Sequence, residues 1–414
     1  MNDLGLIQIP LILRGVSDNF LNTNSFFSNK IFLPVEFSGE GDWDKTAEYK
    51  PGTAIAVQLI TGDWNVSGIG TITAITEDGK ILAFGHPCFG FGKTLLPAAT
   101  AGIHAIMKNT SISWKIGSPI KTRGAMIQDR MSSIIIDPEI SCNFIKTKLS
   151  YILPDSKTPV VYNLGIANNK FLTSRLISAA LNYSGNVTLN VAGPKLTYIH
   201  KFSIIFNEKS ILEYSAIDYT QSGGSPVYNI VDHIVSQLMN NNFQDVTINE
   251  FDYNCRIINA NLKYKISGVV PSVREAEPGD TVILTVRLTH HNLPDKYISI
   301  PVYIDESLKT EESLVLHCSG GENIPVFKPD PLDFRSYVEN LKQDFSAADI
   351  VVFYKTGYSK YLDAGSIIAG GPALTDQKLF ENNPMKNKIP ELIYSKFPQE
   401  FIIDGKTQIT IKIK

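Results

Sequence analysis

Short apolar runs separated by turn residues dominate the first 255 positions. Residues 53–60 and 66–75 read as strands, and Glu77-Asp78-Gly79-Lys80 reads as a hairpin turn into a strand at 81–85. Further strands are expected at 111–116, 123–128, 132–136 and 146–152. Between them, Leu95 to Met107 is a small-residue stretch (Pro97-Ala98-Ala99-Thr100-Ala101-Gly102) that reads as a short helix or a loop. The period then changes. Asn169–Asn182 carries Phe171, Leu172, Leu176, Ile177 and Leu181 on one helical face, and Val227–Asn241 carries Ile230, Val231, Ile234, Val235 and Leu238. Asp232 and His233 fall inside the second helix, where neighbours point in different directions and form a solvated face.

Alternation returns at 259–268, 281–288, 297–303 and 313–318, with turn signals at Glu277-Pro278-Gly279-Asp280 and Leu293-Pro294-Asp295. That spacing predicts a small immunoglobulin-like β-sandwich over 256–322. Ser319–Pro331 reads as a linker. Beyond it an amphipathic helix at Leu332–Phe345, an apolar strand at 349–355 and a last strand at 407–413 make a small α+β unit over 323–414. The abundance of Val, Ile, Thr, Tyr and Phe in short runs gives a mainly β fold with some helix.

A length of 414 residues exceeds one ordinary core and predicts two or three domains. With 43% apolar and 19% charged residues the chain is globular, and its net charge of −3 argues against nucleic acid as a partner. No Lys/Arg cluster suggests an anionic membrane surface, and no run is long enough to span a bilayer. Met1–Leu13 is apolar but holds Asp3 and Pro10 and has no basic start, so it does not read as a signal peptide. Four cysteines at 88, 142, 255 and 318 fit neither zinc-ligand spacing nor a dense disulfide framework. His290, His291 and His317 have no ligand-spaced partners. No metal and no cofactor is expected.

The chemistry gathers in Ile81-Leu-Ala-Phe-Gly-His-Pro-Cys-Phe-Gly-Phe-Gly92. A buried-type strand enters a Gly-His-Pro turn, so His86 stands at a rigid strand end, where an imidazole can be held for function or bond a backbone carbonyl structurally. Gly85, Gly90 and Gly92 either supply N–H groups to an oxyanion or carboxylate or permit tight turns. Cys88, two residues on, is a poor nucleophile partner for His86 across a proline and reads as a buried structural thiol. In Gln128-Asp129-Arg130, adjacent Asp and Arg on a strand end face opposite sides. Asp129 is expected to orient the His86 loop or, as the lesser alternative, the imidazole itself.

The His86 turn, with Pro51-Gly-Thr-Ala-Ile-Ala-Val-Gln-Leu-Ile-Thr-Gly-Asp63 and Gly68-Ile-Gly-Thr-Ile-Thr-Ala-Ile75 before it and Gly124-Ala-Met-Ile-Gln-Asp-Arg130 after it, resembles the SpoIVB-type serine peptidase family. The likeness is to a long, non-sporulation branch found in bacterial envelope proteins. It covers roughly residues 45–140 and, more diffusely, Glu277-Pro-Gly-Asp-Thr-Val282 and the closing segment. It implies a chymotrypsin-like β-barrel over 1–255, an exported protein, and His86 as the base toward a serine. The family's Gly-x-Ser-Gly-Ser-Pro loop corresponds to Thr220-Gln-Ser-Gly-Gly-Ser-Pro226. Aligned on Pro226, Gly223 takes the nucleophile's place; one inserted residue restores Ser222. Ser225 is the other nucleophile candidate, with Gly223 and Gly224 as backbone support. Read as local structure alone, the same loop is a turn with Ser225 as N-cap and Pro226 opening a helix. Where the family's acid is expected stands Asn207-Glu208-Lys209, which leaves Asp129 and Asp218 as carboxylates near in sequence. The resemblance therefore implies peptide-bond hydrolysis through His86, Ser222 and Asp129. The alternative is a catalytically degenerate relative that binds a peptide or protein partner in the envelope.

Overall fold

The structure, a computed structural model, describes residues 9–15, 32–37, 48–108, 113–189, 196–220, 227–308, 312–324, 326, 328, 330–363, 366–369 and 387–414. Its secondary structure is mainly β, with helices at Thr173–Leu189 (α1), Val227–Met239 (α2) and Phe334–Leu341 (α3) and a short 3-10 turn among the described residues. Two compact units divide the chain. The first comprises Met1–Gly193, Lys201–Glu213 and Gly223–Arg256; the second comprises Pro194–His200, Tyr214–Ser222 and Ile257–Lys414.

In the first unit the strands are β1 (Ile9–Arg14), β2 (Phe32–Phe37), β3 (Ala54–Gly62), β4 (Asn65–Ile75), β5 (Ile81–Ala83), β6 (Gly92–Met107), β7 (Trp114–Arg130), β8 (Ser133–Asp137), β9 (Phe144–Ile152) and β10 (Val160–Ala167). With β11 (Leu196–Phe206), β12 (Ser210–Thr220) and β13 (Ile248–Ile258) they hydrogen-bond in the order β12-β11-β13-β9-β10-β3-β6-β7-β8-β5-β4-β1-β2. Because β3 also pairs antiparallel with β4, the six strands β3, β6, β7, β8, β5 and β4 form a closed circuit of pairings. Residues Ile55 to Ile60 of β3 are buried at every position rather than alternately, as expected of a strand covered on both faces.

The Leu95–Met107 stretch is neither helix nor loop. It is the body of β6, where Ala98, Ala99 and Thr100 are buried and Ala99 packs with Ala56, Ile12 and Ile69. Alanine favours a helix in isolation, but pairing with β3 on one edge and β7 on the other overrides that preference. Register shifts flank Pro97, which places the missing N–H at an irregularity of the ladder. The strands expected at 111–116 and 123–128 are one long β7, with residues 111 and 112 outside the described residues. Helix α1 starts four residues later than its apolar pattern suggests. Asn169 Oδ1 accepts the Phe171 N–H at 3.0 Å, and Thr173 Oγ1 accepts the Asn169 N–H at 2.8 Å and donates to Ala167 O at 3.0 Å. These local bonds hold the chain in a turn ahead of the helix.

The second unit holds β14 (Lys263–Pro271), β15 (Glu275–Ala276), β16 (Thr281–Thr289), β17 (Lys296–Tyr303), β18 (Ser313–Gly320), β19 (Asp349–Asp363), β20 (Ser366–Ala369), β21 (Asn387–Pro398), β22 (Ile402–Asp404) and β23 (Lys406–Ile413). One sheet runs β17-β16-β14-β22; the other runs β15-β23-β18-β19-β20, with β21 also on β19. Both contribute to one core, Val282, Leu284 and Val302 from the first and Leu316, Val352 and Ile411 from the second. The divide expected at 322/323 does not appear. C-terminal β22 pairs with β14, and β23 pairs with β18, so residues before and after 322 build the same two sheets. The expected linker is partly strand, since β18 runs to Gly320 and the 3-10 turn follows at Gly321–Asn323. Helix α3 is shorter than the expected Leu332–Phe345: Asp333 caps it through the Ser336 N–H in a capping box, and it ends at Lys342.

Candidate functional site

The His86 turn leaves β5 through Phe84, whose φ of 72° lies in the left-handed region, followed by Gly85 at φ 76°. A non-glycine residue in that region is strained, and surrounding structure must hold it there. The hold is visible. Phe84 donates its main-chain N–H to Thr71 O at 3.0 Å, and its ring lies against Gly70 of β4. A methyl group on Gly70 would come within 2.1 Å of Phe84 Cδ1, and one on Gly68 within 3.8 Å of Cys88 Sγ. Gly70 thus makes room for the Phe84 ring ahead of His86, whereas a methyl group at Gly68 would make only ordinary contact.

On the far side of the turn stands Asp129, near the end of β7 and only 1% exposed. Its Oδ1 accepts the Cys88 N–H at 2.7 Å, and its Oδ2 accepts those of Phe89 at 2.7 Å, Gly90 at 2.7 Å and Phe91 at 3.3 Å. Four successive amides converge on one carboxylate, a charge-assisted arrangement that fixes the backbone just past the histidine. Gly90 (φ 77°) supplies one of those amides, so while Asp129 is in place that N–H is not open to a substrate oxyanion.

His86 itself is half-buried, with its ring 5.7 Å from that of Phe84. Its Nδ1 is 2.7 Å from Pro87 O. A carbonyl oxygen only accepts, so Nδ1 carries the proton and Nε2 of the neutral ring carries the lone pair. Among the described residues no hydrogen bond or ion pair joins His86 to Asp129. The carboxylate orients the loop, and a main-chain carbonyl orients the ring. Ser222, Ser225, Gly223 and Gly224 lie outside the described residues.

Cys88 is fully buried, and burial together with the nearby Asp129 charge pushes its thiol well above the ordinary range. It is a protonated packing residue, not a thiolate nucleophile. The four cysteines are all free thiols. Among the described residues no group of three or more His, Cys, Asp or Glu side chains could hold a metal ion, and no helix is long and apolar enough to cross a membrane.

Beside the turn, Phe91 stacks on Phe89 (5.3 Å) and on Phe171 (5.1 Å), and Asn169 Nδ2 donates to Thr94 Oγ1 at 2.9 Å. Phe171 is 57% exposed. An open cleft of about 1160 Å³ in the same unit is lined by Leu95, Asn168 and Lys170, with Cys142, Lys146 and Glu250 among its other walls.

One histidine–carboxylate pair was not legible in the sequence. In the second unit, His200 Nε2 lies 3.1 Å from Asp218 Oδ2, with the histidine side chain fully buried. Asp218 thus has an imidazole partner other than the one its place in the sequence suggested. The signal lay in β11, where Tyr198, His200 and Phe202 alternate inward, but nothing in a single strand names a residue on the next.

Compared with protein-family models, curated proteins and solved structures, the chain matches none.

Proposed function

We propose that this chain is a SpoIVB-type peptidase-family protein of the bacterial cell envelope that holds a peptide or protein segment at the His86 turn without a complete Ser–His–Asp triad. The observation that supports this reading is the commitment of Asp129. Both its oxygens are engaged by the amides of residues 88–91, and the His86 Nδ1 proton goes to Pro87 O. A neutral carbonyl fixes a tautomer as a carboxylate would, but it stabilises an imidazolium less, which is the charge a general base must carry in acyl transfer. The exposed Phe171, stacked on Phe91, offers an apolar contact for a peptide side chain next to the turn.

A second reading, an active peptidase using His86 and Ser222, is favoured by one specific observation. The Nδ1–H tautomer leaves Nε2 as the acceptor, the form a base needs in order to take a serine proton. Fluorophosphonate labelling and casein cleavage, run on the wild type, His86→Ala and Ser222→Ala, separate the two. The binding reading expects no labelling or cleavage that depends on His86, together with library-selected peptides that lose affinity in Phe171→Ala. Labelling abolished in both His86→Ala and Ser222→Ala would establish the peptidase and overturn the binding reading.

A further inference from the structure

The open cleft of about 1160 Å³ in the first unit crosses one end of four neighbouring strands, in the order β11-β13-β9-β10. The charged side chains that line it are sorted along that order. Glu208 follows β11, Asp245 precedes β13 and Glu250 lies within it, Lys146 belongs to β9, and Lys170 follows β10. In the middle, Lys146 and Glu250 sit opposite each other on adjacent strands and pair at 3.2 Å. Glu208 and Asp245 remain on one side and Lys170 on the other. All three are exposed, and none has an ion-pair partner among the described residues. The cleft is dipolar, with its carboxylates toward β11 and its free ammonium group toward β10.

Two asparagines line the same cleft and leave opposite groups unengaged. On the acidic side, Asn249 Oδ1 accepts the Glu208 N–H at 2.9 Å, so its amide NH2 remains as a donor. On the cationic side, Asn168 Nδ2 donates to Ile248 O at 2.8 Å, which ties the end of β10 to the start of β13 and leaves Asn168 Oδ1 as an acceptor. The backbone at Glu208 is strained as well. Asn207 and Glu208, between the neighbouring strands β11 and β12, take φ values of 47° and 68°. Hairpin turns with two left-handed residues usually place glycine second, and a glutamate there persists only where its surroundings hold it. The hold comes from the cleft wall: Asn249 takes the Glu208 N–H, and Asn207 Oδ1 accepts the Thr247 N–H at 2.9 Å. A side chain kept at that cost, on the rim of a large cleft and without a partner, points to a ligand.

We propose that this cleft binds a short peptide with both termini free, a dipeptide being the smallest, with its ammonium group at Glu208 and Asp245 and its carboxylate at Lys170. Read from its amino end, a dipeptide presents an ammonium, a C=O, an N–H and a carboxylate. From β11 to β10 the cleft presents carboxylates, the Asn249 amide donor, the Asn168 acceptor and the Lys170 ammonium. The two sequences are complementary in one direction only. Reversed, the peptide would set like charges together and put its C=O against an acceptor. A free amino acid carries both charges but has no peptide bond for the two asparagines. Leu95, 42% exposed on the cleft wall, offers an apolar contact to a peptide side chain. This proposal does not rest on the reading of the His86 turn.

The test uses the full chain and four probes: alanyl-leucine, its N-acetyl form, its C-terminal amide and free leucine. Binding is read by titration calorimetry. Alanyl-leucine is expected to bind at least tenfold more tightly than each of the other three. Lys170→Gln should remove the preference for the free carboxylate over the amide. The pair Glu208→Gln/Asp245→Asn should remove the preference for the free over the acetylated amino end, and both variants should keep the wild-type melting curve. Glu208→Gly, which relieves the left-handed strain, should melt no lower than the wild type yet bind at least tenfold more weakly. No binding of alanyl-leucine, equal binding of a blocked form or of free leucine, or a preference retained in its matching variant would each overturn the proposal.

Discussion

Asp129 accepts the main-chain N–H of Cys88 at 2.7 Å, tying the end of β7 to the residue two past His86 across 41 positions of sequence. With the amides of Phe89, Gly90 and Phe91 on the same carboxylate, the His86 loop has its shape set by an anion within the chain.

Removing that anion should loosen the loop before anything else. Asp129→Ala leaves several N–H groups without their acceptor, and a loss of about 3 kcal/mol is expected from the cost of orphaning charge-assisted bonds. Chemical denaturation measures the loss, and amide exchange should accelerate at residues 88–91 more than along β9. Uniform exchange across the unit would show that the carboxylate does not act on the loop.

The fit of Phe84 over Gly70 makes a second prediction. Gly70→Ala forces a methyl group into the ring, and overpacking of this kind costs about 2 kcal/mol. In a Phe84→Ala background the same change should cost less than half as much, because the clashing ring is gone. Strictly additive losses in a double-mutant cycle would mean that the two positions do not meet.

The ring of His86 should hold one tautomer. In its neutral form Nδ1 is expected to carry the proton and Nε2 to show the shift of an unprotonated nitrogen in 15N spectra. A ring protonated at Nε2 would contradict the bond to Pro87 O and remove the observation that favours the peptidase reading.

Thiol reactivity gives a pH-dependent test. Cys142 is half-exposed, with burial pushing its thiol up to about 11, while Cys88 and Cys318 are buried, the latter pushed up to about 12. The thiolate is the reacting form, so iodoacetamide should modify Cys142 first, about tenfold faster per pH unit until pH approaches that value. Cys88 should stay unmodified until the protein unfolds. Early labelling of Cys88 would show that the His86 loop opens.

The sequence alone determined what depends on local period and local bonding. Short apolar runs between turn signals placed about half of the strands and left β1, β2 and β10 to β13 unread, the 3.6-residue period placed α1 and α2, and the Gly-His-Pro turn marked where an imidazole would be held. Asp129 was legible as a loop-orienting residue because adjacent Asp and Arg at a strand end face opposite sides and each finds its own partner. What the tertiary structure decided is what depends on partners distant in the chain. The small residues at 97–102 became strand because β3 and β7 bond them from both edges. Residues 402–413 joined the sheets built from 263–320 because parallel and antiparallel pairing there brings together segments a hundred or so positions apart. Asp218 found His200, and Asp129 found four amides, for the same reason. Period fixes which face a side chain takes, but only packing decides what waits on that face.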